Sequence, residues 1–371
     1  MKEENKLKEI AKVFFKLGSI AFGGPAAHIA MMEDEVVKKR KWMSQQDFLD
    51  MIGATNIIPG PNSTEMTMHC GHERGGVKGM FVAGICFIFP AVFITLIFSW
   101  LYQQYGQLPE VEPFIYGIKP AVIAIIIAAI YRLGKKSLKN ITLGVLGTLT
   151  LIACLLGVNE IIALFSCGLA GLLIHALRST NKTLSLVSPL LLLQVASTTG
   201  VAKVFLTFLK VGAILYGSGY VLFAYLDKEL VETGLLARQE LIDAIAVGQF
   251  TPGPILSTAT FVGYQLGGFW GSIAATIGIF LPSFIFVMIL NPLIPRIRKS
   301  KTISAFIDAV NIAAVALIVA VTFQMAQESL SDWRTTTIAT LSILAVFIFK
   351  KMNSAFIVVG GALLGYLLTF I

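Results

Sequence analysis

Long apolar runs separated by short polar loops set the pattern of this chain. A helix needs about 20 apolar residues to cross a bilayer. Runs of this kind, some of them short, fall at 79–102, 114–133, 141–157, 160–177, 269–292, 303–325, 335–349 and 354–371. Four further regions are hydrophobic but interrupted: 10–32 at Phe22-Gly23-Gly24-Pro25, 47–70 at Pro59-Gly60-Pro61, 203–226 at Gly217-Ser218-Gly219 and 239–265 at Pro252-Gly253-Pro254. The apolar stretches are continuous and do not alternate in ten-residue segments, so they predict helices and exclude a membrane β-barrel.

Composition agrees with this reading. Of 371 residues, 56% are hydrophobic and 13% charged, against roughly 25% charged in an average soluble domain. Mean hydropathy is +0.80. A soluble globular, disordered or collagen-like chain is excluded, leaving an all-α polytopic membrane protein. Cys70, Cys86, Cys154 and Cys167 lie singly in or beside apolar segments and read as packing residues. The opening segment mixes Lys with Glu and has no small-residue cleavage site, so it does not read as a cleaved signal peptide. The net charge of +8 fits basic cytoplasmic loops. The lipid bilayer is the expected surrounding partner, with no nucleic acid and no cofactor.

The interruptions occur in matching pairs. Residues 14–90 align with 208–282, pairing Phe14 with Phe208, Lys16 with Lys210, Gly18 with Gly212, Gly23 with Gly217, Val37 with Val231 and Asp50 with Asp243. The two Pro-Gly-Pro triplets also match, as do Gly71 and Gly263, Gly75-Gly76 and Gly267-Gly268, Gly79 and Gly271, and Pro90 and Pro282. Ordered Gly and Pro matches indicate an internal duplication. Its parts are 1–182, a connecting segment 183–202, and 203–371.

Loop charge gives orientation, because positive short loops stay cytoplasmic. In the first half the loop at 103–113 is acidic, the next carries Arg132, Lys135, Lys136 and Lys139, and the one around Asn159-Glu160 has no base. In the second half the order reverses: Arg296, Arg298, Lys299 and Lys301 come first, an acidic loop with Glu328 and Asp332 follows, and Lys350-Lys351 close the series. Equivalent loops lie on opposite sides, so the halves form an inverted repeat, as in many secondary transporters. The first region of each half either crosses the membrane or forms a hairpin that turns back at its break. The hairpin requires one additional span within 184–199 and gives ten or eleven spans plus re-entrant segments.

Non-helical backbone at membrane depth survives only inside protein or beside a wet cavity. Pro59 and Pro61 stop a helix, Gly60 allows a tight turn, and Asn62-Ser63-Thr64 makes a good helix start. Pro252, Gly253, Pro254, Ser257 and Thr258 repeat the arrangement, and Gly23-Gly24-Pro25 and Gly217-Ser218-Gly219 offer the same chemistry. Four helix ends meeting near a pseudo-two-fold axis would cradle an anion. Packing kinks are the structural alternative. Charges inside apolar regions are costly and mark function. Lys16 and Lys210 are candidates to neutralise the anion, while Glu65, Asp50 and Asp243 are candidates to carry a coupling proton. A structural Lys–Asp pair is the competing explanation. His28, three residues past a break, is a candidate donor or relay. His69 and His72 precede Glu73, but no third ligand is evident and no metal site is expected.

At these residues the sequence resembles the chromate transporter family. The resemblance rests on FFKLGSIAFGGPAAHI (14–29), KWMSQQDFLD (41–50), IIPGPNSTEM (57–66) and HERGGVKGMFVAG (72–84). The second half matches with FLKVGAILYGSGYV (208–221), ARQELIDAIAVGQFTPGP (237–254) and VGYQLGGFWGS (262–272). It covers nearly the whole chain and looks like the long, fused two-domain form. The resemblance implies export of chromate, a tetrahedral dianion shaped like sulfate, across the plasma membrane, dependent on the proton motive force. Two departures stand out. The second half has Tyr216-Gly217-Ser218-Gly219 where the pattern is closer to FGGG, and it lacks the counterpart of Trp42. Binding chemistry is therefore expected mainly in the first half.

The leading expectation is a secondary active oxyanion transporter working by alternating access. A passive oxyanion channel would share the fold without needing a coupling carboxylate. An intramembrane enzyme would need a redox centre, metal cluster or nucleophile–base pair, and none is evident in the sequence. A homodimer is a further expectation. Gly144, Gly147, Gly168 and Gly171 form small-residue faces that could pack between copies or within the chain.

Overall fold

The computed structural model describes every residue except 1–2, 22–24, 56–58, 107, 109, 179–199, 217–218, 291–300, 350–351 and 370–371. Among the described residues the regular structure is helical throughout. In the first half, α1 (Glu3–Ile20) ends at the first break, and α2 (Pro25–Met32) runs on into a π-helical turn, Glu33–Lys39. Next, α3 (Gln45–Thr55) leads to Pro59-Gly60-Pro61, and α4 (Asn62–Tyr105) follows. The half closes with α5 (Glu112–Ser137), α6 (Ile141–Leu155) and α7 (Glu160–Arg178). The second half repeats the order. It has α8 (Val201–Ile214), α9 (Val221–Leu226) with a π-helical turn Asp227–Val231, α10 (Arg238–Phe250), a 3₁₀ turn Ile255–Ser257 and α11 (Thr258–Leu290). It ends with α12 (Lys301–Ser329), α13 (Trp333–Ile348) and α14 (Ser354–Leu368).

Neither α4 nor α11 is a single rod. Gly75 and Gly76 leave the helical region, with Gly76 at φ 61°. Gly267 and Gly268 do the same, with Gly268 at φ 59°. Glycine takes this conformation without steric cost, which accounts for the repeated Gly-Gly pair. The chain reverses there, because Gly71 packs against Gly79 and Ala83, and Gly263 against Gly271 and Ala275. Each helix is thus a short arm (62–74 in α4) followed by a long one (77–105).

Side-chain contacts at the arm ends show where the chain returns. Glu9 of α1 accepts hydrogen bonds from Arg40 at 3.1 Å, Arg74 at 2.9 Å and Trp42 Nε1 at 3.4 Å. The Arg74 guanidinium also lies 5.5 Å from the Trp42 ring centre. The chain therefore enters along α1 and comes back through α2 and its π-helical turn. It enters again along α3 and returns through the short arm of α4. These are two re-entrant hairpins with the breaks at their tips, so the hairpin alternative holds and region 10–32 is not a simple crossing. The second half builds the same pair: Arg238, opening α10, pairs with Asp227 of the π-helical turn at 2.9 Å, and Gly267 lies beside Val201, where α8 begins.

The inversion can be read along α12, whose 29 residues span about 43 Å at 1.5 Å per residue. Near its start Asp308 pairs with Lys139, just past α5, at 2.7 Å. At its end Glu328 pairs with Arg238 at 2.8 Å. The long arm of α4 leads away from Arg74 and α5 leads back, so Lys139 shares a side with Glu9 and Arg74. Arg238 is on the other side. The Tyr116 hydroxyl, near the start of α5, donates to Asp332 on that same far side. The hairpins of the two halves enter from opposite faces. Their tips meet through an exchange that respects the two-fold relation: Gly60 N–H donates to the Leu215 carbonyl at 2.6 Å, and Gly253 N–H donates to the Ala21 carbonyl at 2.9 Å.

Small residues allow the close helix approaches on which membrane packing depends. A β-carbon at Gly18 or Gly212 would run into the backbone carbonyl of Phe87 or Ile279. Around the hairpins, α12 packs on α5, α6 and α7. Gly147 faces Ile312, Gly168 faces Phe306 and Val310, and Gly171 faces Ala309. The small-residue faces of α6 and α7 are thus used within the chain. Among the described residues five helical stretches are long and apolar enough to cross a membrane, in α4, α5, α7, α11 and α12, and α6, α13 and α14 are shorter apolar helices. The span expected within 184–199 lies outside the described residues.

Candidate functional site

The tip exchange places each Pro-Gly-Pro break inside the opposite half. Gly253, at φ 92°, sits against Ala91, the Gly18 carbonyl and the Phe87 carbonyl of the first half. Gly60, at φ 139°, sits under the side chains of Glu65 and Ser283, the latter from α11 of the second half. Both glycines hold a backbone conformation that other residues adopt only with strain, at points where a β-carbon has no room. Sequence spacing identified these two positions, and the geometry supplies the reason for them.

Around Gly60 the polar groups are buried. Ser63 is 2% exposed, and Thr64, Glu65 and Ser283 are fully buried. Pro61 is the N-cap of α4, which begins at Asn62, one residue later than a helix opening on Pro61. The Glu65 carboxyl faces the Ser283 hydroxyl over Gly60, and among the described residues no cation pairs with it. An unpaired carboxylate in such a place is costly, and taking up a proton removes the cost. The second half carries Thr258 at the matching position. Its hydroxyl donates to the Ile255 carbonyl at 2.8 Å and packs against Gly248. The 3₁₀ turn delays the helix start there, so Ser257 and Thr258 are buried at the junction.

His28 Nε2 donates to the Ala21 carbonyl at 3.0 Å, the same oxygen that receives Gly253 N–H. Its ring stands edge-on to Phe87 with centroids 5.6 Å apart. His28 therefore braces the place where the first-half tip holds the second-half break. Ala21, Pro25, Tyr220, Gly248, Gln249, Thr251, Gly253, Ile255 and Ser354 enclose a small chamber of about 20 Å³ at this junction. Pro252 precedes it, Pro254 caps the 3₁₀ turn, and Gly219 packs on Ile255.

The two lysines before the breaks have acidic partners. Lys16 Nζ lies 3.1 Å from Glu35 and Lys210 Nζ 2.5 Å from Glu229. Both acids sit in the π-helical turns, at matching positions of the two halves. The π-helical turn brings each carboxylate back onto its hairpin's first arm. Asp243 of α10 is 5% exposed. It accepts a hydrogen bond from the Tyr102 hydroxyl at 2.7 Å and lies 3.9 Å from Lys119 Nζ. These groups sit beside a mostly apolar cavity of about 210 Å³ between α4, α5, α10 and α14. The side chain of Asp50, and Gly23, Gly24, Gly217 and Ser218, lie outside the described residues.

Sequence reasoning missed several of these partners. Lys119 sits beside Pro120 in an apolar span, and the rule that intramembrane charges mark function would have found it. Glu35 and Glu229 were hidden in segments that read as loops. Tyr102, Gln249 and Ser283 carry no signal until the fold brings them to a break.

The fold defines a multi-pass membrane protein built from two inverted halves, each opening with re-entrant hairpins that meet at the centre. The sequence profile of the chromate transporter family matches it twice, at residues 8–172 and 202–366. The chain belongs to that family. It is 29% identical over 372 residues to a chromate transport protein of Cupriavidus metallidurans, covering 97% of this chain and 92% of the relative. It is 30% identical over 377 residues to a chromate transport protein of Pseudomonas aeruginosa, covering 95% and 90%. A probable chromate transport protein of Synechococcus elongatus is 28% identical over 380 residues, covering 97% and 95%. No solved structure matches the chain.

Proposed function

We propose that this protein is a secondary active transporter. It exports chromate, or a similar tetrahedral dianion such as sulfate, across the plasma membrane with the proton motive force as driver. The observation that carries the reading is the reciprocal contact of the two tips, Gly60 to Leu215 and Gly253 to Ala21. It puts irregular backbone from both halves at the centre of the molecule, which is where secondary transporters with inverted repeats bind their cargo.

In this reading the oxyanion sits among the four breaks. Gly23, Gly24, Pro25 and His28 serve it from the first tip, and Pro59, Gly60, Pro61, Asn62, Ser63 and Thr64 from the second. Gly217, Ser218, Gly219, Pro252, Gly253, Pro254, Ser257 and Thr258 provide the matching groups of the other half. Lys16 and Lys210 supply positive field from the arms behind the tips, tempered by their glutamate partners. Glu65 carries the coupling proton: it releases a negative charge next to the anion path only when deprotonated, so anion and proton occupancy are linked. Asp50 and Asp243 are secondary proton carriers. Alternating access is supported by the packing. The first-half hairpins form their own apolar core, with Ile10, Phe14, Met32, Phe48, Met66 and Phe87. The second-half hairpins share one core with the outer helices and with Met68, Met80 and Ile88 of α4. α4 contributes to both cores and packs on α11, so in this reading it is the seam that repacks as the bodies move.

The test is uptake of chromate and sulfate into proteoliposomes under an imposed pH gradient. Wild-type protein is expected to accumulate the anion, and Glu65→Gln to lose the dependence on the gradient. Uptake that ignores the proton gradient and is unchanged in Glu65→Gln would identify a passive channel.

A further inference from the structure

The chamber at the second Pro-Gly-Pro break holds a group that the reading above does not use. Gln249, the last-but-one residue of α10, is 7% exposed and lines the chamber. Its amide oxygen is held by the Tyr220 hydroxyl at 3.5 Å, and its Nε2 has no hydrogen-bond partner among the described residues. The Ser354 hydroxyl, at the start of α14, donates to the Gln249 backbone carbonyl at 3.4 Å, fixing the same residue from a third helix. A buried amide donor left unpaired costs free energy, and such a group calls for an acceptor that arrives from outside.

The walls say what that acceptor is. The hydroxyls of Tyr220, Thr251 and Ser354 donate to Gln249 Oε1, the Gly248 carbonyl and the Gln249 carbonyl, which leaves Gln249 Nε2 as the open donor, and among the described residues no acidic side chain lines the chamber. Among the described residues no lysine or arginine lines it either, so an anion here would be met by a neutral amide donor. Arg132, exposed near the end of α5, is a positive charge whose field reaches Tyr220. The end of α5 lies on the side shared by Lys139 and Arg74. The chamber's volume of about 20 Å³ has room for one water, so a tetrahedral anion fits only after the tips have moved apart. In the first half, Asn56 stands the same three residues before its Pro-Gly-Pro, so both halves carry a carboxamide at this point of the sequence.

We infer that Gln249 is a substrate-selecting residue. Its free Nε2, set by Tyr220 and Ser354, hydrogen-bonds a fully deprotonated tetrahedral dianion such as chromate or sulfate at the second break. This inference rests on the transport reading and extends it to a residue in the second half. It also gives that half a selecting side chain of its own, against the sequence expectation that the first half carries most of the chemistry.

Titration calorimetry of the purified full-length protein with sodium sulfate and sodium chromate tests this apart from transport. Wild-type protein should bind both anions. Gln249→Ala should weaken binding about tenfold, the size expected for one lost hydrogen bond to a charged group. Gln249→Glu, which replaces the donor with a like charge, should remove measurable binding, and Gln249→Asn should fall between wild type and Gln249→Ala. Size-exclusion elution and helical circular dichroism report whether each variant is folded, and Gln249→Asn carries the test if Gln249→Glu does not fold. In proteoliposomes Gln249→Ala should raise KM and leave the saturated rate nearly unchanged. If the wild type binds neither anion, the transport reading fails. If the wild type binds and Gln249→Ala and Gln249→Glu bind equally well, the role of Gln249 is overturned.

Discussion

The two Pro-Gly-Pro breaks are the same device with different chemistry around it. Each holds a glycine at positive φ, at 139° for Gly60 and 92° for Gly253, and each donates to a carbonyl of the other half. At the first break a buried carboxyl, Glu65, faces Ser283. At the second its counterpart is Thr258, whose hydroxyl is spent on its own backbone, and the open chemistry is the amide of Gln249. Duplication fixed the scaffold, because backbone geometry at a close contact tolerates little change. The side chains beside it were free to diverge, to a titratable carboxyl at one break and a neutral amide at the other. A symmetric cradle would give no such division.

Breaking the shared device should have the largest effect. Gly60→Val and Gly253→Val each force a β-branched residue into positive φ at a contact with no room. Both should abolish transport while the protein still inserts, as measured by membrane-fraction abundance and uptake. Next comes the chemistry that separates the breaks. Glu65→Gln should remove the pH dependence of uptake, whereas Thr258→Val at the matching position should keep it. Normal pH dependence in Glu65→Gln would place coupling elsewhere.

The inter-half pair follows. Lys119→Met leaves Asp243 buried with only Tyr102. Breaking a buried pair costs about 3–5 kcal/mol; with Lys119 partly exposed, a loss at the lower end is expected, read as a fall in Tm in detergent. Lys119→Met combined with Asp243→Asn should recover most of it. The smallest effects belong to the hairpin lysines. Lys16 is mostly exposed, so its pair with Glu35 contributes about 0–1 kcal/mol, and Lys16→Gln should leave Tm nearly unchanged. Lys210→Gln should cost more, since Lys210 is less exposed.

Much of this fold was legible in the sequence because Gly and Pro act through the backbone. The Gly-Gly pairs at 75–76 and 267–268 mark chain reversals, the Pro-Gly-Pro triplets mark tips, and Gly18 and Gly212 mark close helix crossings. Each is a local constraint written as a residue type. Loop charge carried the inversion, which the contacts of Asp308 and Glu328 at the two ends of α12 bear out. What stayed hidden were relations between distant segments. Nothing in the pattern shows that Gly60 meets Leu215, that Glu35 returns to Lys16, or that Lys119 of the first half lies beside Asp243 of the second. Gln249 reads as an ordinary polar residue near a helix end until α9 and α14 close on it. Glu65 was visible because a carboxylate in an apolar run is conspicuous by itself.

The central claim is that the two inverted halves jointly carry a tetrahedral oxyanion against its gradient at the expense of a proton gradient. Its most direct test is a competition panel of oxyanions in proteoliposomes with an imposed proton gradient. Uptake of radiolabelled sulfate and of chromate should rise with the gradient, collapse with a protonophore, and be mutually competitive while monovalent anions compete poorly. Uptake indifferent to the protonophore, or equally blocked by chloride and nitrate, would contradict it.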